Sequence, residues 1–98
     1  MMNNLVEKSA SAYGSSDSKM YHLNYLIENG IQSNSFLLDY GCCALSSGIN
    51  FIKYLETSHY FGIDISQKAI ELGKSRIVDE NLSSKKPTLL LNYLIHLM

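Results

Sequence analysis

The sequence of 98 residues has no tryptophan, a single proline, and cysteine only as the adjacent pair Cys42 and Cys43. Neighbouring cysteines rarely close an unstrained disulfide, so a secretory cross-link framework is not expected. No second cysteine pair or suitably spaced histidine pair accompanies them, which leaves a zinc site without its ligands. A long run of like charge is missing too: 8 basic residues stand against 9 acidic ones, for a formal net charge of -1. The doublet Lys85-Lys86 is too short to make a phosphate-binding surface, so nucleic acid is not an expected partner. The polar start MMNNLVEKSASAYGSS does not read as a signal peptide. The apolar run near the carboxyl end is broken by Asn92, Tyr93 and His96, so no spanning helix or membrane partner is expected and a cytoplasmic location is the default.

What is present is an ordinary globular composition, with 46% hydrophobic and 17% charged residues. The length allows one small domain or part of a larger one. Residues 1–15 are polar and without sustained periodicity, and read as a flexible arm; residues 16–98 read as the structured part. Ser16, Asp17 and Ser18 offer capping oxygens to a first helix, in which Met20, Leu23, Leu26 and Ile27 recur at helical spacing until Gly30 provides a left-handed stop. Phe36-Leu37-Leu38 leads into Asp39-Tyr40 and then Gly41, the pattern of a buried strand ending at glycine.

A second helix is expected from Ser46 or Ser47, with Ile49, Ile52 and Leu55 on one face, until Thr57-Ser58 breaks the pattern. The strand Tyr60-Phe61-Gly62-Ile63 then closes on Asp64. Ser66 is a good cap for a third helix with Ala69, Ile70, Gly73 and Ile77 on its inner face, and Ile65 is placed to staple against Ile70. After a polar loop, Thr88 to Leu97 is apolar enough for a third strand or a short helix, and the strand is favoured. This order predicts an α/β fold, a partial Rossmann-like three-layer arrangement of parallel strands with helical crossovers, cut short after the third strand.

The chemistry concentrates between Phe36 and Gly73. A glycine turn after a strand lets the backbone approach a ligand lying across the carboxyl ends of a parallel sheet. An acidic residue closing the next strand, Asp64, stands 23 positions after Gly41 and can accept hydrogen bonds from both hydroxyls of a ribose. Together these features predict an adenosine-bearing cofactor. A nicotinamide dinucleotide is disfavoured, because the G-x-G-x-x-G positions 41, 43 and 46 read Gly, Cys and Ser. The blander readings are an ordinary tight turn at Gly41 and a helix-start carboxylate at Asp64.

Asp39-Tyr40-Gly41-Cys42-Cys43 resembles the first motif of the class I S-adenosylmethionine (SAM) dependent methyltransferases, and Tyr60-Phe61-Gly62-Ile63-Asp64-Ile65-Ser66 is similar to their second. The resemblance covers roughly residues 20 to 75. It implies that Gly41 and Cys42 face the methionine portion of SAM through backbone groups, with Cys43 standing where the family has its second glycine. It implies further that Asp64 holds the ribose, Ile65 packs on the adenine and Asp39 supports the turn and reaches the cofactor's amino group through water. It assigns no catalytic side chain, since the sulfonium already makes the methyl electrophilic. His22, His59 and His96 read as structural or solvent-facing, and Tyr13, Tyr21 and Tyr25 as packing residues. The family's acceptor pocket lies beyond the matching segment, so the chain reads as the amino-terminal part of such a domain, with self-association through an unpaired edge of the sheet.

Overall fold

The computed structural model describes residues 16–42 and 44–92. The arm expected over residues 1–15, the side chain of Cys43 and the end of the third strand expected up to Leu97 lie outside them. The first helix, α1, spans Ser16–Glu28, and Gly30, at φ +106°, ends it. The Ile31 N–H returns to the Leu26 carbonyl at 3.0 Å and the Gly30 N–H to that of Ile27 at 3.1 Å. These are the two bonds of a Schellman stop, which needs a left-handed residue and so favours glycine.

Three short parallel strands follow: β1 (Leu37–Tyr40), β2 (Tyr60–Asp64) and β3 (Thr88–Leu91), in the spatial order β1-β2-β3. Helix α2 (Gly48–Tyr54) links the first two, and α3 (Gln67–Asp79) with a turn of 3-10 helix at Ser83–Lys85 links the last two. The chain is therefore α/β with a parallel sheet and helical crossovers, as the alternation of patterns predicts. At α3 the cap is formed as expected, the Ala69 N–H donating to Ser66 Oγ at 3.1 Å, and Ile70, Gly73 and Ile77 are buried. The ladder continues one residue beyond β3, with the Asn92 N–H on the Asp64 carbonyl at 2.9 Å.

One expectation changes. The segment read as a buried strand has one open face among the described residues: Phe36 is 70% exposed, Leu38 62% and Tyr40 61%. The described helices of this partial α/β fold lie on the other face of the sheet. Both features have the same cause. The two crossovers step in the same direction across the sheet, and right-handed connections that do so lay their helices on the same face. That face carries Leu37, Asp39, Tyr60, Gly62, Asp64 and Leu89, set by the register Asp39↔Gly62 and Gly62↔Leu89. An apolar run identifies a strand buried on both sides only when both sides have a layer.

The core lies between this face and the helices, around Leu45, Ile52, Leu55 and Tyr60, whose side chains are fully buried. Among the described residues no helix is long and apolar enough to cross a membrane.

Candidate functional site at the carboxyl end of β1

The end of β1 is held against β2 by its turn. Gly41, at φ +77°, and Cys42 both donate their N–H groups to the Ile63 carbonyl, at 2.7 and 3.1 Å. Only a residue without Cβ takes this conformation without cost. Cys42 then turns inward, and its side chain lies over Gly62, where an added Cβ would stand 3.0 Å from Sγ and 3.1 Å from Cβ of the cysteine. Gly62 is thus the gap in β2 that admits the turn. Cys42 is buried and acts as a packing residue here.

The same face of β2 also reaches β1 diagonally. Tyr60, one side-chain step from Gly62 on the same face, donates its hydroxyl to Asp39 Oδ2 at 2.7 Å. It passes beneath the start of α2, where a Cβ at Gly48 would come within 2.7 Å of the tyrosine oxygen and 2.6 Å of Leu45 Cδ2. Burial pushes the Tyr60 hydroxyl far up, aided by the Asp39 charge, so it serves as a permanent donor. Burial also raises Asp39 above the ordinary carboxylate range; the Tyr60 hydrogen bond opposes this, Asp64 adds to it and His22 opposes it.

This shift has a sign that can be checked. An acid whose folded value is raised binds more protons when folded than when unfolded, so its contribution to stability falls as pH rises from the unfolded carboxylate value through the folded one. Asp39→Asn keeps an oxygen acceptor for Tyr60 and removes the charge. The variant should lose that part of the pH dependence, so that its urea midpoint relative to wild type rises between acid and neutral pH. A constant difference between the two across that range would contradict the assignment.

A cleft of about 260 Å³ opens here, lined by His22, Asp39, Gly41, Cys42, Ser46, Ser47, Gly48 and Phe51. Of the residues singled out in the sequence, Asp39, Gly41 and Cys42 meet in it. Asp64 and Ile65 do not line it. Asp64 is 8% exposed at the end of the neighbouring strand, with Oδ1 accepting the Ser66 N–H at 2.8 Å, and Ile65 beside it is 45% exposed.

His22, Ser46 and Ser47 are residues that the motifs do not reveal, and Tyr60, though within the second motif, is not marked there as a partner of Asp39. His22 comes from α1, where it stands one helical turn before Leu26 and so shares the inward face, a spacing that gives the only sequence signal for it. Its Nδ1 is hydrogen-bonded to Ser47 Oγ. That explains why Ser47, at the cap position of α2, makes no side-chain cap bond. Between them the chain passes Leu45 at φ +66°, its side chain fully buried and its carbonyl accepting from Arg76 of α3 at 3.2 Å.

Fold and cleft together define an α/β protein with an opening of about 260 Å³ at the carboxyl end of β1, the end of the strands where open parallel sheets bind their ligands. No protein-family model matches the chain. No curated protein matches it either. Among solved structures it is similar to the crystal structure of MccD protein, with 25% sequence identity and a TM-score of 0.59. That likeness covers 74% of this chain and 31% of the other, so the chain spans under a third of the length of MccD protein.

Proposed function

We propose that the chain carries the cofactor-binding part of a SAM-dependent methyltransferase, which moves the methyl group of SAM to an acceptor. The observation that carries the reading is the pairing of a positive-φ glycine turn at the end of β1 with a carboxylate at the end of β2, on adjacent parallel strands. The donor set fits such a ligand. Asp64 offers a carboxylate for a ribose, Asp39 a half-buried carboxylate for an ammonium group, and Ile65 an exposed apolar side chain for an adenine. The cleft of about 260 Å³ falls just below the roughly 300–1,000 Å³ of sites that enclose a drug-sized ligand. It therefore suits the amino-acid end of SAM, with the adenosine lying outside it toward Asp64 and Ile65. SAM brings an electrophilic methyl of its own, and the residues described here bind and orient rather than act as acid or base.

Calorimetric titration with SAM and S-adenosylhomocysteine tests the reading. Saturable heat with both ligands is expected; folded protein giving none at millimolar ligand would overturn it. A cytoplasmic location belongs to the same proposal. So does self-association through the outer edges of β1 and β3, which are unpaired among the described residues; size-exclusion chromatography at two concentrations would detect it as a shift in elution. The open apolar face around Phe36, Leu38 and Tyr40 favours a second reading, a non-catalytic subunit that docks on a complete methyltransferase. A monomer that binds SAM without further association would speak against it.

A further inference from the structure

The face of the sheet away from the helices is uncovered among the described residues, and it is apolar throughout its middle. The register places Leu38 and Tyr40 of β1, Phe61 and Ile63 of β2 and Leu90 of β3 on it side by side, with Phe36 just before β1. Phe36, Leu38, Tyr40 and Leu90 are exposed, and Phe61 and Ile63 are half-buried. Parallel sheets are almost always covered on both faces, since apolar side chains are driven out of water. The rings of this patch are already held in place. Phe36 stacks on His59 with centroids 3.9 Å apart and lies 6.5 Å from the ring of Phe61. At the other end the Tyr40 hydroxyl accepts a hydrogen bond from Asn92 Nδ2 at 2.9 Å. His59 and Asn92 thus put polar groups at the two ends of an apolar centre, the arrangement of a protein interface.

We infer that this face is a homodimer interface, in which two copies of the chain pack sheet against sheet about a two-fold axis. The inference goes beyond the methyltransferase reading and does not rest on it. The six side chains include neither an acid nor a base. Such a patch selects no charged partner, and no like charges oppose each other when it meets its own copy. A second copy brings an apolar face of the same extent, and two-fold pairing of identical patches is the commonest form of oligomer. An aromatic side chain buries about 150–250 Å² when fully enclosed, so the exposed parts of the six amount to roughly 600 Å² per copy. A pair would remove about 1,200 Å² from water, the lower end of the range for stable interfaces. Rings fixed beforehand lose little freedom on pairing. Packed sheets stand about 10 Å apart with their side chains interdigitated. Pairing through the faces is complete at two copies, whereas pairing through the edges of β1 and β3 goes on adding copies.

Sedimentation equilibrium of the full chain over a wide range of micromolar concentrations tests this. The mass should rise to twice that of the chain and stop there. Leu38→Glu and Leu90→Glu each set two carboxylates in the apolar interface, one from each copy, and should raise the dimer dissociation constant by roughly 100-fold or more. Both leucines are exposed in the single chain, so circular dichroism melts at concentrations where wild type is dissociated should match those of wild type. Val78→Glu adds the same charge at an exposed apolar position of α3, across the sheet from this face, and should leave the constant unchanged. A wild type that stays monomeric over the whole range overturns the inference and leaves the face to a different protein. Masses that climb past the dimer, with Leu38→Glu and Leu90→Glu behaving as wild type, overturn it in favour of the edges. Equal weakening by Val78→Glu overturns it as well, because net charge and not the face would then govern association.

Discussion

Leu45→Ala should destabilise the fold by about 2–5 kcal/mol, the range for removing a fully buried leucine from a packed core. Leu45 is completely shielded from solvent and sits where the cleft loop meets both helices: its side chain borders Gly48 of α2 and Gly73 of α3. Small domains have only about 5–15 kcal/mol in total, so the loss should be visible as a large fall in the urea midpoint. The backbone at Leu45 adds a second, separable contribution. At φ +66° a residue with a Cβ carries a cost of about 1–2 kcal/mol, which Ala retains and Gly relieves. Leu45→Gly should therefore be as stable as Leu45→Ala or more so, reversing the usual order in which Gly is worse by roughly 0.5–1 kcal/mol. Equilibrium denaturation of the two variants decides it, and a Gly variant clearly weaker than the Ala variant would show that the loop relaxes out of this conformation.

The second large effect is expected at Asp64, and it concerns binding. Its Oδ1 accepts the Ser66 N–H at 2.8 Å and so fixes the turn into α3. Asp64→Asn preserves an oxygen for that bond and removes the negative charge. Stability should change little, whereas two ribose hydroxyls would exchange charge-assisted hydrogen bonds for ordinary ones. Affinity for adenosyl ligands should drop by roughly 10-fold to 100-fold. Because the ribose is common to both, S-adenosylhomocysteine and 5′-methylthioadenosine, which lacks the amino acid, should weaken by the same factor. Unchanged affinity for both, with the melting temperature also unchanged, would remove Asp64 from the site.

Much of the architecture could be read from local pattern. Gly30 stops α1, Ser66 caps α3, and Tyr60 to Asp64 forms a strand, because each depends on chemistry within four or five residues: a left-handed C′ position, an N-cap oxygen, a short β-forming run closed by an acid. The third element after Pro87 is a strand for the same reason, at least as far as Leu91. The exposure of β1 was not legible in the same way. Phe36, Leu38 and Tyr40 have the composition of a two-sided core strand, and only the direction of successive crossovers leaves one side open.

The candidate site divides along the same line. Asp39, Gly41 and Cys42 are contiguous, so their meeting follows from a strand and its turn. His22 is 25 residues from Ser47 and Tyr60 is 21 from Asp39, and no periodicity links residues so far apart. What joins them is packing: Leu23 buries α1 against the helical layer and brings His22 with it, and the register that sets Asp39 and Tyr60 on the same face of adjacent strands lets the tyrosine hydroxyl reach the carboxylate.

By itself, then, the sequence determined the kinds of element, their order, the glycine turn at the end of β1 and the carboxylate at the end of β2, since these are set by residues adjacent in the chain. The tertiary structure decided which side chains share the cleft, that Gly41 and Cys42 direct their N–H groups to Ile63 rather than into it, and that Asp39, half-buried, accepts a hydrogen bond from a tyrosine. Hydrogen-bond partners and desolvation depend on neighbours contributed by other elements, and those neighbours exist only once the helices have packed on the sheet.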